Sequence, residues 1–152
     1  MTEELKKSRL LLIADDDADD RFLIRQALHD GGFKNSTQFV SDGEDLIYFL
    51  NKAKDVDSNS DDFSMPSLIL LDLNMPRLNG REALKVIKND ESLKKIPVVI
   101  LTTSKNAEDV AGSYKDGASS FLTKPLDYKQ LVTLMTTLNS YWFEGASLPK
   151  AN

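Results

Sequence analysis

Four polar residues stand at the ends of apolar runs, and their chemistries complement one another. Leu10-Leu11-Leu12-Ile13 leads to Asp15, Leu68-Ile69-Leu70-Leu71 to Asp72, and Val98-Val99-Ile100-Leu101 to Thr102. Ser119-Ser120-Phe121-Leu122-Thr123 leads to Lys124-Pro125. Continuous aliphatic runs separated by helical patterns read as buried parallel strands. In an open parallel sheet the ligand crevice lies outside the carboxyl ends of the strands. Two carboxylates, a hydroxyl and an ammonium are therefore expected to converge, and that set can hold a divalent cation and a phosphoryl group together.

Strand and helix patterns alternate five times. Strands are predicted at 9–14, 37–40, 67–72 and 97–102, with a fifth ending at Lys124. The first helix spans 17–30 and stops at Gly31-Gly32. The second spans 44–54 with Leu46, Ile47 and Leu50 inward, and the third follows Asn79-Gly80 with Ala83, Leu84 and Ile87 inward. The fourth spans 107–115, with Ala107, Val110, Ala111 and Tyr114 along one side. The fifth spans 127–141 and carries a stripe of Tyr128, Leu131, Met135, Leu138 and Trp142. Residues 55–66 are polar, acidic and aperiodic, an unusually long surface loop for a compact domain. The alternation implies right-handed crossovers and a three-layer, doubly wound α/β fold with a five-stranded parallel sheet. Residues 1–142 make one domain and 143–152 a tail.

Composition narrows the function classes. The 152 residues suffice for one real core, and 41% hydrophobic with 28% charged residues is ordinary for a globular protein. A net charge of -5 argues against nucleic acid as a direct partner. The absence of cysteine removes disulfides, thiolate catalysis and cysteine-bound zinc. No apolar stretch approaches membrane-spanning length and no signal-peptide core follows Met1, so no membrane partner and a cytoplasmic location are expected. His29, the single histidine, lies near the end of the first helix, far from the expected crevice.

At Asp15, Leu70-Leu71-Asp72-Leu73-Asn74-Met75-Pro76 with Gly80, Thr102 and Lys124-Pro125, the chain resembles the receiver domain of two-component response regulators. The likeness covers about residues 9–141. It implies the flavodoxin-like strand order 2-1-3-4-5. Within that family, the acidic loop and the tail Tyr141-Trp142-Phe143 with Leu148-Pro149 look like the small single-domain regulators that partner bacterial phytochromes. The resemblance implies roles. Asp72 is the phosphoacceptor, and Mg²⁺ is held by Asp15, Asp72 and the backbone carbonyl of Asn74. Thr102 and Lys124 contact the phosphoryl group, with a cis bond before Pro125 aiming the lysine inward. Thr102 and Phe121 form the switch pair, though Phe121 reads equally well as a plain core residue. Receivers usually carry two adjacent acids after the first strand. Here Ala14 takes the first place, and Asp16 is left open as a substitute, while Asp17, Asp19 and Asp20 read as helix-capping acids.

The implied function is non-enzymatic: a Mg²⁺-dependent single-domain regulator. It would accept phosphoryl groups from a sensor histidine kinase, a bacteriophytochrome among the candidates, or from a phosphotransfer protein. It would signal through the face of the fourth helix, fifth strand and fifth helix. The aromatic tail suggests a homodimer through the fifth helix and tail. An aspartyl phosphatase needs an acid two residues after the nucleophile, where Asn74 stands. A nucleotide or flavin binder lacks a glycine-rich phosphate loop after the first strand. A receiver that binds partners without phosphorylation gains weight from Ala14 but has all four polar residues in place.

Overall fold

The computed structural model describes residues 9–55 and 64–148. Most of the acidic loop and Pro149 lie outside them. Strands and helices alternate as β1 (Leu10–Ala14), α1 (Ala18–Asp30), β2 (Ser36–Val40), α2 (Gly43–Ala53), β3 (Leu68–Leu71), α3 (Gly80–Lys88), β4 (Val98–Thr102), α4 (Ala107–Lys115), β5 (Ser120–Thr123) and α5 (Tyr128–Leu138). The sheet is parallel throughout, in the order β2-β1-β3-β4-β5.

Side chains alternate across a strand, so each apolar run feeds two cores. Leu12, Ala14, Ile69, Leu71, Val98 and Ile100 pack beneath α2 and α3, against Leu46, Phe49, Leu50, Leu84 and Ile87. Leu11, Ile13, Leu68, Leu70, Val99 and Leu101 pack beneath α1 and α5, against Ile24, Leu28, Leu131 and Met135. Both faces are covered, which is why the runs show no polar alternation. Phe49, rather than the half-buried Ile47, completes the inward face of α2.

Two helices depart from the predicted faces. In α4 only Ser113 is buried, while Tyr114, Ala107 and Ala111 are exposed. Ser113 faces inward, and beside it the Arg81 guanidinium, paired with Asp116 at 2.9 Å, lies against Gly112. A Cβ at Gly112 would come within 2.5 Å of Arg81 Nη1. In the last helix α5 gives way to a π-helical turn, Asn139–Gly145. The wider turn delays the apolar stripe by one residue. Phe143 is therefore the buried residue, 8% exposed and edge-on to Phe33 at 5.0 Å between centroids, and Trp142 packs partly buried against the same core. Arg9 Nη1 donates to the Phe143 carbonyl and ties this end to β1.

Register sets the crevice. Ala14 lies opposite Leu71, so Asp15 and Asp72 leave the sheet side by side. Thr102 lies opposite Thr123, so Lys124 emerges next to them. Asp17 and Asn79 cap the helices that follow, each accepting backbone N–H bonds, and Asn79 with Glu82 forms a full capping box.

Candidate functional site

Asp15, Asp72 and Thr102 are all buried at the carboxyl edge of the sheet, with Asp15 only 1% exposed. Lys124 reaches into the same space. Its Nζ lies 2.7 Å from Asp15 Oδ2, 3.0 Å from Asp72 Oδ2 and 2.7 Å from Asp20 Oδ2. The Lys124–Pro125 peptide is trans, not the cis form the resemblance implies. The strand end does the aiming instead, with the Lys124 N–H donating to the Thr102 carbonyl at 2.7 Å.

Electrostatics follow from this crowding. Burial works against the charged form of Lys124, but hydrogen bonds and charges from Asp15, Asp20 and Asp72 outweigh it and hold the lysine above its ordinary value. Burial pushes the Asp15 carboxyl up from its ordinary value, in spite of Lys124 and the Asp17 N–H that donates to it. Asp72 accepts from the Asn74 N–H at 3.2 Å, which holds the chain close as it leaves β3. Arg21 donates to the Asp15 carbonyl at 2.8 Å.

Two acids join the site beyond those expected there: Asp16, which the sequence left open, and Asp20, which it read as helix-capping. Oxygens of Asp15, Asp16 and Asp72 all lie within 4.8 Å of one another. Asp16 joins because the chain bends sharply from β1 into the Asp17 cap, a geometry that strand alternation does not supply. Asp20 is not merely a helix-terminus acid; it pairs with Lys124 across 104 residues. Asp17 does cap α1, accepting from the Asp19 and Asp20 N–H groups. The all-oxygen cluster suits a hard divalent cation.

The Thr102 hydroxyl is buried and has no hydrogen-bond partner among the described residues. Such a group costs about 1–3 kcal/mol. Thr102→Val is therefore expected to match or exceed wild-type stability in urea unfolding of the unphosphorylated protein, with a gain of about 1 kcal/mol. Clear destabilisation would show that the hydroxyl is satisfied at rest. Phe121 is half-buried against the α2–α3 core, and its N–H donates to the Tyr114 hydroxyl at 3.0 Å. The sequence pattern placed Tyr114 on the apolar side of the fourth helix and gave no sign of this hydrogen bond.

The family described as response regulator receiver domain matches residues 11–136. The response regulator Rcp1 of Synechocystis sp. is 34% identical over 99% of this chain and all of its own length. The phosphorylated cyanobacterial phytochrome response regulator RcpA superposes with a TM-score of 0.83 at 33% identity, over 95% of this chain and all of that one. The Mn²⁺-bound form of Rcp1 superposes with a TM-score of 0.81 at 34% identity, over 93% of this chain and 99% of its own.

Proposed function

The chain belongs to the response regulator receiver family, and on that premise we propose that it accepts a phosphoryl group from a kinase phosphohistidine onto Asp72. The observation that carries this is the Asp72 carboxylate 3.0 Å from the Lys124 ammonium, at the same strand edge as the unpartnered Thr102 hydroxyl.

Asp15 and Asp72 would hold Mg²⁺, with Asp16 beside them and the Asn74 carbonyl completing the set. When bound, the ion supplies positive charge that offsets repulsion between the carboxylate and the incoming phosphoryl oxygens. An Asp72 oxygen attacks phosphorus, the P–N bond to the donor imidazole breaks, and the freed imidazole takes up a proton. Lys124 then directs N–H groups at the phosphoryl oxygens, and the Thr102 hydroxyl finds an acceptor. As Thr102 turns to that acceptor, the α4–β5–α5 face around Phe121 would change with it. Water attacks phosphorus later, releasing inorganic phosphate and restoring the carboxylate. No external substrate is turned over.

Several relatives are phytochrome regulators, which supports a sensor histidine kinase of the bacteriophytochrome kind as donor. A phosphotransfer protein would serve the same chemistry. We place the protein in the cytoplasm on the strength of its receiver family. No helix among the described residues is long and apolar enough to cross a membrane.

Incubation with Mg²⁺ and acetyl phosphate is expected to add one phosphoryl mass. A chain that binds Mg²⁺ but stays unlabelled by both acetyl phosphate and phosphorylated kinase would be a binding-only receiver instead.

A homodimer through α5 and the tail rests on a smaller surface than the sequence suggests, because Phe143 serves its own core. Tyr141, 60% exposed and edge-on to Trp142 at 5.0 Å, remains available. Sedimentation at micromolar concentration should give twice the chain mass, and Tyr141→Lys should halve it. A wild-type monomer would rule the dimer out.

A further inference from the structure

Lys124 has three N–H donors and three carboxylates around it. Two of them, Asp15 and Asp72, are buried acids with proposed roles toward Mg²⁺ and the phosphoryl group. The third, Asp20, sits on the first turn of α1, and its side chain is 34% exposed. We propose that Asp20 is a positioning residue for Lys124: it anchors the ammonium in the resting site and yields it to the phosphoryl group on transfer. The inference rests on Asp72 being the phosphoacceptor.

The geometry selects Asp20 as the partner that gives way. An incoming phosphoryl group needs at least one N–H from Lys124. Asp15 and Asp72 are buried, so leaving either without a partner is costly. Water can reach Asp20 and replace the ammonium there. Asp20 also adds a negative charge close to the cluster of Asp15, Asp16 and Asp72, where the chain carries Ala14 in place of a further acid. The same charge that draws a cation repels a phosphodonor. It follows that Asp20 strengthens Mg²⁺ binding and weakens phosphodonor binding, two effects of opposite sign. A merely structural residue would not produce that split.

The test uses the full chain with Asp20→Asn, which keeps the side chain's size and removes its charge. Asp19→Asn is the control, since Asp19 lies on the same turn, is exposed and makes no ion pair with Lys124. Calorimetric Mg²⁺ titration of Asp20→Asn should give a Kd about three- to tenfold weaker than wild type, the scale of one nearby unit charge. At saturating Mg²⁺, the acetyl phosphate concentration for half-maximal labelling should fall several-fold, with the maximal rate within about twofold. Thermal melts establish that each variant is folded. If both quantities move in the same direction, or if Asp20→Asn behaves like Asp19→Asn, the inference is overturned. Wild type that takes up no phosphoryl group in the same assay would instead overturn the role of Asp72, which keeps the two failures distinct.

Discussion

Asp72→Asn is expected to take up no phosphoryl group under conditions that label the wild-type chain fully. The amide keeps the shape of the side chain and an oxygen to accept the Asn74 N–H, but it has no charged oxygen to attack phosphorus. Labelling should fall by more than about a hundredfold, because the lost step is the covalent one. Mg²⁺ binding should weaken as well, since the Asp15–Asp16–Asp72 cluster loses one of its three carboxylates. The fold should survive, because Lys124 retains Asp15 and Asp20 at 2.7 Å each. Intact-mass spectrometry after acetyl phosphate treatment reads the outcome directly. Labelling at the wild-type level would move the acceptor to Asp15 or Asp16 and undo the assignment.

Gly80→Ala is expected to damage both stability and the site. Gly80 opens α3, and its N–H donates to the Leu73 carbonyl at 2.8 Å. A Cβ there would meet the Asp72 carbonyl oxygen at 2.2 Å and Leu73 Cα at 2.6 Å. Both obstacles are backbone, so the strand end bearing Asp72 must move. The cost should be about 3 kcal/mol, at the upper end for overpacking, or a fall of about 6–12 °C in melting temperature for a chain of this size. Mg²⁺ affinity should fall alongside, because the displaced backbone carries Asp72, a proposed ligand. Gly43 sits in a similar vice, a Cβ there falling 1.9 Å from the Leu78 carbonyl oxygen. Both glycines thus lie against backbone of the loop between β3 and α3. Scanning calorimetry with a parallel Mg²⁺ titration checks the prediction, and wild-type values in both would refute it.

The loop has a further restraint. Asp42, buried at the N-terminus of α2, accepts from the Asp45 N–H and pairs with Arg77, which takes a left-handed conformation at φ 69°. Burial opposes the charged form of Asp42, but those partners outweigh it and hold its carboxyl below the ordinary range. The β2–α2 and β3–α3 loops are thereby joined beside the site.

Local sequence determined the sheet and the identity of the polar residues at its edge. Strands buried on both faces must be apolar at every position, and that leaves an unbroken run whose end is easy to see. Asp15, Asp72, Thr102 and Lys124 each follow such a run, and parallel order brings the ends of the runs to one side. Asn79-Gly80 and Asp17 were legible as helix starts because capping needs particular side chains at particular offsets. Tertiary structure alone decided what no short window holds. Asp20 meets Lys124 across 104 residues, so helix-end chemistry in the sequence pointed elsewhere. Asp16 reaches the cluster because the chain bends between β1 and α1, where strand period no longer applies. Phe143 is the fully buried aromatic, with Trp142 packed partly buried against the same core, because one π-helical turn shifts the phase of the final helix. Ser113, not the predicted apolar side, is the buried residue of α4, and Arg81, bound to Asp116, lies against the neighbouring Gly112. In each case the deciding contact joins residues on different elements, and its energy depends on distances that local periodicity does not fix.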